Sequence, residues 1–283
     1  MCSSGFEHKT LNIERMMIVE QMLKNAPTPL LHIADVSGSA LFQGDCLDIM
    51  PLIPDNSIDM VFTDPPYGTT ACKWDTVIPF DKMWEQLNRI IKPNGVILIF
   101  GCEPFSSFLR TSNIELYKYD WIWEKPNGSD PFQCRKRPMN NIENISVFYK
   151  QQPLYFPQMV ETKTYKRKGG TKEIEIFGRV ADASYESNQR YPMRILKYNK
   201  EGQIGSNEER SKNSFHPTQK PILLLEYLIK TYTNETDIIL DFTMGSGSSM
   251  VASKNLNRKF IGIEKEPKYY ELAVARVFGQ HCH

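Results

Sequence analysis

The stretch SIDMVFTDPPYG, residues 57–68, decides how the chain is read. Ile58 to Phe62 form an apolar run of strand length, and the run stops at Asp64, Pro65 and Pro66. A short buried strand that ends in a carboxylate and two prolines sets that carboxylate at the carboxyl edge of a sheet, where open α/β sheets bind ligands. Each proline fixes φ and has no N–H to donate. The carbonyls there stay free to accept, and Tyr67 adds a flat aromatic face. An acceptor carboxylate, free carbonyls and an aromatic platform suit an exocyclic amino group on a planar base. Taken alone, Asp64-Pro65-Pro66-Tyr67 also fits a plain strand-ending turn.

Working outward, strands and helices alternate. Ala40 to Phe42 read as a strand that runs into Gln43-Gly44-Asp45-Cys46, followed by the helix-like LDIMPLIP. Asp45 has two readings, an N-cap for that helix and an acceptor for a nucleoside. Downstream, Phe80 to Ile91 read as a helix stopped by Lys92-Pro93-Asn94-Gly95, and Val96 to Phe100 as a buried strand. Glu103-Pro104-Phe105 opens another helix, and Trp121 to Trp123 and Ile145 to Tyr149 supply two more strands. Such alternation argues for an α/β domain with a largely parallel sheet. The loop after Tyr67, with Gly68 and Trp74, is placed to act as a lid, or Trp74 packs as an anchor. Residues 13–25 have helical apolar spacing; covering the core is the reading carried forward, with a homodimer contact left open beside it.

The second half holds two further motifs. His216-Pro217-Thr218-Gln219-Lys220-Pro221 precedes ILLLEYLIKTYT, which reads as a helix. The free N–H groups of its first turn, with Thr218 and Lys220, suit a carboxylate, or the segment is a neutral cap. Asp237 to Leu240 form a strand, followed by the turn Asp241-Phe242-Thr243-Met244-Gly245-Ser246-Gly247-Ser248. Glycines at a strand-to-helix turn let the backbone approach a ligand, although this turn has neither GxGxxG spacing nor a P-loop lysine. Phe260 to Glu264 is a strand that ends in an acid, well placed for ribose hydroxyls. Pro267 to Phe278 is the last helix.

Between the halves the character changes. From Gln151 to Ser214 the apolar period weakens, and lysine, arginine and tyrosine become frequent, as in TYKRKGG and NQRYPMRILKYNK. Positive charge interleaved with aromatic residues matches contacts to phosphates and bases. A formal net charge of +1 over 283 residues means that any nucleic-acid contact comes from a local patch.

Three segments, DPPY, then HPTQKP, then FTMGSGS, resemble the β-class amino-group DNA methyltransferases in content and order, over a span from about Leu41 to Ala275. The resemblance implies an α/β, Rossmann-like fold dependent on S-adenosyl-L-methionine, with a mainly parallel seven-stranded sheet and a circularly permuted motif order. It implies one catalytic domain over 1–283, with a target-recognition insert at 151–214. Asp64, Pro65, Pro66 and Tyr67 would be catalytic. The cofactor would be held by Asp45, Cys46, Asp64, His216, Thr218, Lys220, Asp241, Phe242, Thr243, Gly245, Gly247, Ser248 and Glu264. The partner would be double-stranded DNA, one base of which is extruded into the pocket; a cognate restriction endonuclease stays open. DPPY is similar to adenine-N6 members, whereas SPPY more often marks cytosine-N4 members, so adenine is the expected base and cytosine the alternative. A protein or small-molecule methyltransferase and a catalytically silent DNA-binding module are the readings from other classes.

Bulk properties agree. No apolar run approaches the length of a membrane span, and the opening MCSSGFEHKTLNIERMM lacks a signal peptide's apolar core, so cytoplasmic residence is expected. Six scattered cysteines without a CxxC pair argue against a metal site or a disulfide framework.

Overall fold

The apolar runs around Asp64 become the middle of one sheet in the computed structural model. Residues 18–27, 30–34, 38–69, 75–129, 131, 134–167, 170–174, 178–182, 185–198 and 219–279 are described. Among them, nine strands lie side by side: β1 (Leu31–Ala34), β2 (Ala40–Gln43), β13 (Lys259–Glu264), β12 (Ile238–Asp241), β3 (Ile58–Thr63), β4 (Ile91–Gly101), β6 (Asn140–Phe148), β5 (Tyr117–Ser129) and β11 (Ile195–Lys197). The block β2-β13-β12-β3-β4 is wholly parallel. β6 runs against both β4 and β5, β11 is parallel to β5, and β1 is antiparallel to β2. The expected seven strands are all here. The sheet gains β1 and β11, short edge strands of four and three residues whose apolar pattern is too brief to read.

The central strands are apolar on both faces because both are covered, as parallel sheets require. Val61, Ile97, Ile99, Leu240 and Ile261 point to one buried cluster, shared with Val19 and Met22 of the helix at 18–25 (α1), with Met83, Trp84, Leu87 and Ile90 of α3 (Phe80–Ile90), and with Phe105 and Leu109 of α4 (Phe105–Ser112). The alternate residues Met60, Phe62, Leu98, Phe100 and Ile239 face a second cluster, covered by Leu224, Leu225, Leu228 and Ile229 of α5 (Ile222–Tyr232). The described part of α1 thus covers the core. A short α2 (Cys46–Ile49) follows β2, α6 (Ser248–Asn255) joins β12 to β13, and α7 (Pro267–Phe278) packs Ala273, Val274 and Val277 with Leu41 and Phe260.

Phe156–Met193 form a separate small unit. In it β7 (Val160–Arg167) pairs antiparallel with β10 (Tyr185–Arg190), and β8 (Gly170–Ile174) with β9 (Gly178–Asp182). This unit is narrower than the segment 151–214 marked by composition: Ile195–Lys197 belong to the main sheet, and 199–214 lie outside the described residues. His216 and Thr218 of the HPTQKP segment, and Trp74 of the expected lid, also lie outside them. Among the described residues, no helix is long and apolar enough to cross a membrane.

Leu98, fully buried at the centre of β4, tests the two-sided core. Leu98→Ala is expected to cost about 2–5 kcal/mol of unfolding free energy, read from urea denaturation, because the rigid sheet around it collapses little into the cavity.

Candidate active site

Parallel strands send their carboxyl ends to one edge. Here that edge collects Gly44-Asp45 after β2, Glu264 at the end of β13, Asp241 at the end of β12, Thr63-Asp64 at the end of β3, and Cys102-Glu103 after β4. β6 runs the other way and enters the sheet from this edge. Gly101 is paired with Asn144, so Glu143 stands one residue further out, opposite Trp123 of β5, and Lys125 follows. Apart from Gly101, these residues line one cavity of about 1040 Å³. The cavity opens where the chain order reverses, between β12 and β3, the switch point at which open α/β sheets bind ligands.

Asp64 sits at that point with a donor on each oxygen. The Tyr67 hydroxyl donates to Oδ1, and the Lys220 ammonium donates to Oδ2 at 2.5 Å. An ionised carboxylate has about four acceptor positions, so two remain. Burial, and then the charge of Asp64, push the Tyr67 phenol well above its usual pKa, which keeps it a donor. Its ring lies 5.0 Å from that of Phe105. Pro65 and Pro66 line the same cavity. The turn after them is held by the buried Asp75, which accepts from the N–H groups of Gly68 (2.8 Å) and Thr69 (2.9 Å).

Lys220, expected near a cofactor carboxylate, meets two carboxylates of the protein. Its ammonium pairs with Asp64, lies 3.2 Å from Glu143 Oε2 and stands 5.0 Å from the centre of the Phe100 ring. Burial alone would lower its pKa, but the two carboxylates outweigh burial and raise it, so it is a permanent cation. In the structure its nearest partner is Asp64, and a carboxylate on a cofactor would have to compete for it.

The turn after β12 is built around Asp241. Thr63 Oγ1 donates to Asp241 Oδ1 at 2.9 Å and lies 2.6 Å from Thr243 Oγ1. The N–H of Thr243 also reaches Oδ1, and the Ser249 hydroxyl donates to Oδ2. These bonds tie the DPPY strand to the glycine turn. Burial raises the Asp241 pKa to about 7 despite its donors. Glu264 accepts from the N–H groups of Gly245 and Glu266, each at 2.8 Å, and burial raises its pKa too. Asp45 caps α2 through Leu47 N and pairs with Lys265 at 3.0 Å. Burial opposes its ionisation, but those two partners prevail and its pKa is lowered. Cys46 beside it is buried, and burial with the Asp45 charge pushes its thiol up to about 12, so it is no nucleophile. Phe242 and Ser248 line the cavity as well. Gly245 and Gly247 both take left-handed φ, +52° and +76°. A Cβ on Gly245 would meet no atom within 4 Å, so it would intrude on the open space of the cavity that this residue lines. A Cβ on Gly247 would press on Ala273 at 3.0 Å. One glycine thus keeps the cavity clear and the other lets α7 approach.

The motifs therefore converge where the sequence places them, except His216 and Thr218, which fall outside the described residues. Sequence reasoning missed Thr63, Asp75, Lys125 and Glu143. Thr63 alone carried a signal, as a polar residue at the buried end of an apolar strand. Among the described residues, no group of His, Cys, Asp and Glu is arranged to hold a metal ion.

The raised pKa of Asp241 has a testable sign. A carboxylate whose folded pKa of about 7 exceeds its unfolded value of 3.8 binds more protons folded than unfolded between those values, so stability falls as pH rises through that window. The stability of the wild type relative to Asp241→Asn, from denaturation at successive pH values, should decline from about pH 4 to about pH 7 and level off above it.

A family model described as DNA methylase, of the N6/N4 methyltransferase type, matches residues 58–275. The chain is 28% identical to the Type II methyltransferase M2.MboI of Moraxella bovis, over 83% of this chain and 86% of that one. The PvuII DNA methyltransferase, cytosine-N4-specific, shares the fold with a TM-score of 0.60 at 18% identity, over 84% of this chain and 85% of its own. M1.HpyAVI, solved as a complex with SAM, matches with a TM-score of 0.54 at 25% identity, over 83% of this chain and 98% of its own. With the DPPY carboxylate at the switch point, the glycine turn beside it and a family match over most of its length, the chain belongs to the N6/N4 DNA methylase family.

Proposed function

We propose that the protein transfers a methyl group to N6 of adenine in duplex DNA. S-adenosyl-L-methionine is the cofactor, on the family match and on a relative solved with it bound. The edge of the cavity fits it: Gly245 leaves open space, Asp45 and Glu264 offer acceptors, and among the lining residues carboxylates outnumber cationic side chains, which favours a positively charged ligand. When bound, it would supply an electrophilic methyl group on a sulfonium sulfur, which departs as a neutral thioether. We assign Asp45, Cys46, Phe242, Gly245 and Glu264 to its holding, with Asp241, Thr243, Gly247 and Ser248 shaping the turn that carries it.

The observation that carries the reading is the Asp64 carboxylate, fixed by Tyr67 and Lys220 and still with two acceptor positions. An aromatic amine is a weak nucleophile because its lone pair is delocalised into the ring. Asp64 accepts one amino hydrogen and the Pro65 carbonyl the other, which draws the nitrogen towards sp³ and frees the lone pair. Tyr67 holds Asp64 by its hydroxyl, and its ring forms a wall for the base. The methylated nitrogen has one proton too many, and Asp64 is the acceptor at hand. Positioning and fixed charge supply the rate. The segment 151–214 is assigned to DNA recognition; in its described part, Arg190 lies 4.9 Å from the centre of the Tyr165 ring, a cation and an aromatic face side by side.

Adenine rests on the Asp at the head of DPPY. The fold likeness includes a cytosine-N4 enzyme, so cytosine is the second reading. The first test is nucleoside mass spectrometry on unmethylated duplex DNA incubated with protein and S-adenosyl-L-methionine. N6-methyladenine is expected. N4-methylcytosine would overturn the choice of base, and no modified nucleoside across diverse DNA would overturn the function. Asp64→Ala should lower kcat by at least roughly 100-fold while the cofactor Kd from calorimetry stays within about a factor of three, as expected for a group acting in the transition state.

A further inference from the structure

Behind Asp64 lies a chain of buried charges that the mechanism above does not use. Lys220 is contributed by the segment before α5, Glu143 by β6 and Lys125 by β5. Lys220 Nζ is 2.5 Å from Asp64 Oδ2 and 3.2 Å from Glu143 Oε2, and Lys125 Nζ is 3.3 Å from Glu143 Oε1. Three of the four side chains are at most 15% exposed, and Asp64 is 26% exposed. The Lys220–Glu143 approach, at 3.2 Å, is longer than the 2.5 Å contact of Lys220 with Asp64. The directed bond of Lys220 goes to Asp64. Glu143 therefore acts on Lys220 by charge.

We propose that Glu143 is a positioning residue: it tethers the Lys220 ammonium so that Lys220 orients the Asp64 carboxylate toward the cavity. This rests on the methyl-transfer reading of Asp64. A lysine with a single carboxylate partner is drawn fully onto that partner or follows another anion. Held at 2.5 Å by Asp64 and at 3.2 Å by Glu143, it is kept at Asp64 and is not free to follow another anion. Two carboxylates and two ammoniums also leave the quartet neutral, so Asp64 keeps its negative charge for the target amino group. Isolated buried ion pairs seldom repay their desolvation, and polar groups retained at that cost beside a reacting carboxylate point to function.

Other titratable groups face Asp64. Tyr67 lies on its own turn, Cys102 follows β4, and Asp241 ends β12, in addition to Lys220, Glu143 and Lys125. The pH test must therefore isolate Glu143. Lys220→Met leaves Asp64 and Glu143 as neighbouring carboxylates without their shared cation, and like charges at that range resist joint ionisation. The acid limb of kcat should then move up by about one pH unit or more. Adding Glu143→Gln to that variant should move it back down and, with Lys220 already gone, should cost little further kcat at the pH optimum, which a role for Glu143 independent of Lys220 would not give.

The experiment measures kcat, the S-adenosyl-L-methionine Kd by calorimetry and the pH profile for wild type, Glu143→Gln, Glu143→Asp, Lys220→Met and the double variant. Glu143→Gln is expected to lower kcat by roughly 10- to 100-fold, the scale of a small misplacement of a reacting group, with an unchanged cofactor Kd. Glu143→Asp is expected to recover part of kcat. A wild-type kcat in Glu143→Gln would overturn the proposal. So would a Glu143→Gln loss of kcat that persists in full when Lys220 is already Met, or a Lys220→Met effect confined to cofactor affinity. If Glu143→Gln does not fold, the comparison of Lys220→Met with the double variant decides. A wild-type protein that methylates no DNA would defeat the methyl-transfer reading itself, whereas an active wild type with an indifferent Glu143 would defeat only this proposal.

Discussion

A parallel sheet brings the carboxyl ends of its strands to one edge, and the chemistry of this protein follows from that constraint. The five-strand block from β2 to β4 delivers Asp45, Glu264, Asp241, Asp64 and Glu103 to the same rim in that spatial order, although Asp64 and Asp241 are far apart in sequence. Chain reversal between β12 and β3 opens the cavity there rather than elsewhere along the edge. The one strand of the inner sheet that runs backwards, β6, adds Glu143 from its amino end. Six acidic residues at or next to strand ends thus come to one site, and this places them on the stiffest part of the fold.

Collecting acids at one edge creates an electrostatic problem, which the structure solves in three ways. Glu264 and Asp241 are satisfied by N–H and hydroxyl donors of the turn they brace, and burial moves their pKa values upward. Asp45 is offset by Lys265 at the surface. Asp64 and Glu143 share Lys220 in the interior. The first solution has a structural by-product. Because Asp241 binds Thr63 and Thr243 together, the turn expected to hold the cofactor and the strand that carries Asp64 cannot move independently.

The sequence disclosed what periodicity and local chemistry encode. Doubly buried strands such as Val96 to Phe100 are continuous apolar runs because both faces are covered, and their ends are marked by Asp, Gly and Pro. DPPY and the glycine turn are legible because each must do its chemistry within a few consecutive residues. Glu143 was not legible. It sits in NNIENISVF among polar neighbours, and only the antiparallel register with β4 and β5 carries it to Lys220. Asp75 was hidden for a similar reason: its partners, Gly68 and Thr69, lie seven and six residues back in the chain, beyond what local periodicity links. Lys220 shows the limit of motif reasoning. The motif suggests a cation for a carboxylate, but which carboxylates of the protein lie beside Lys220 is set by topology.

That last point bears on the aspartate itself. A carboxylate that must accept hydrogens from a weakly basic amine works only while it stays ionised and keeps lone pairs free. Pairing it with one lysine secures the charge but invites the lysine to occupy the acceptor positions. On the proposal above, a second carboxylate behind the lysine eases the conflict by dividing the cation's attraction, and Lys125 in turn offsets part of that carboxylate's charge. The Phe100 ring beneath Lys220 offers its π face to the remaining side of the ammonium. The fold thus sets the charge of Asp64 and its direction through separate groups, and a substitution behind the site can alter one without the other.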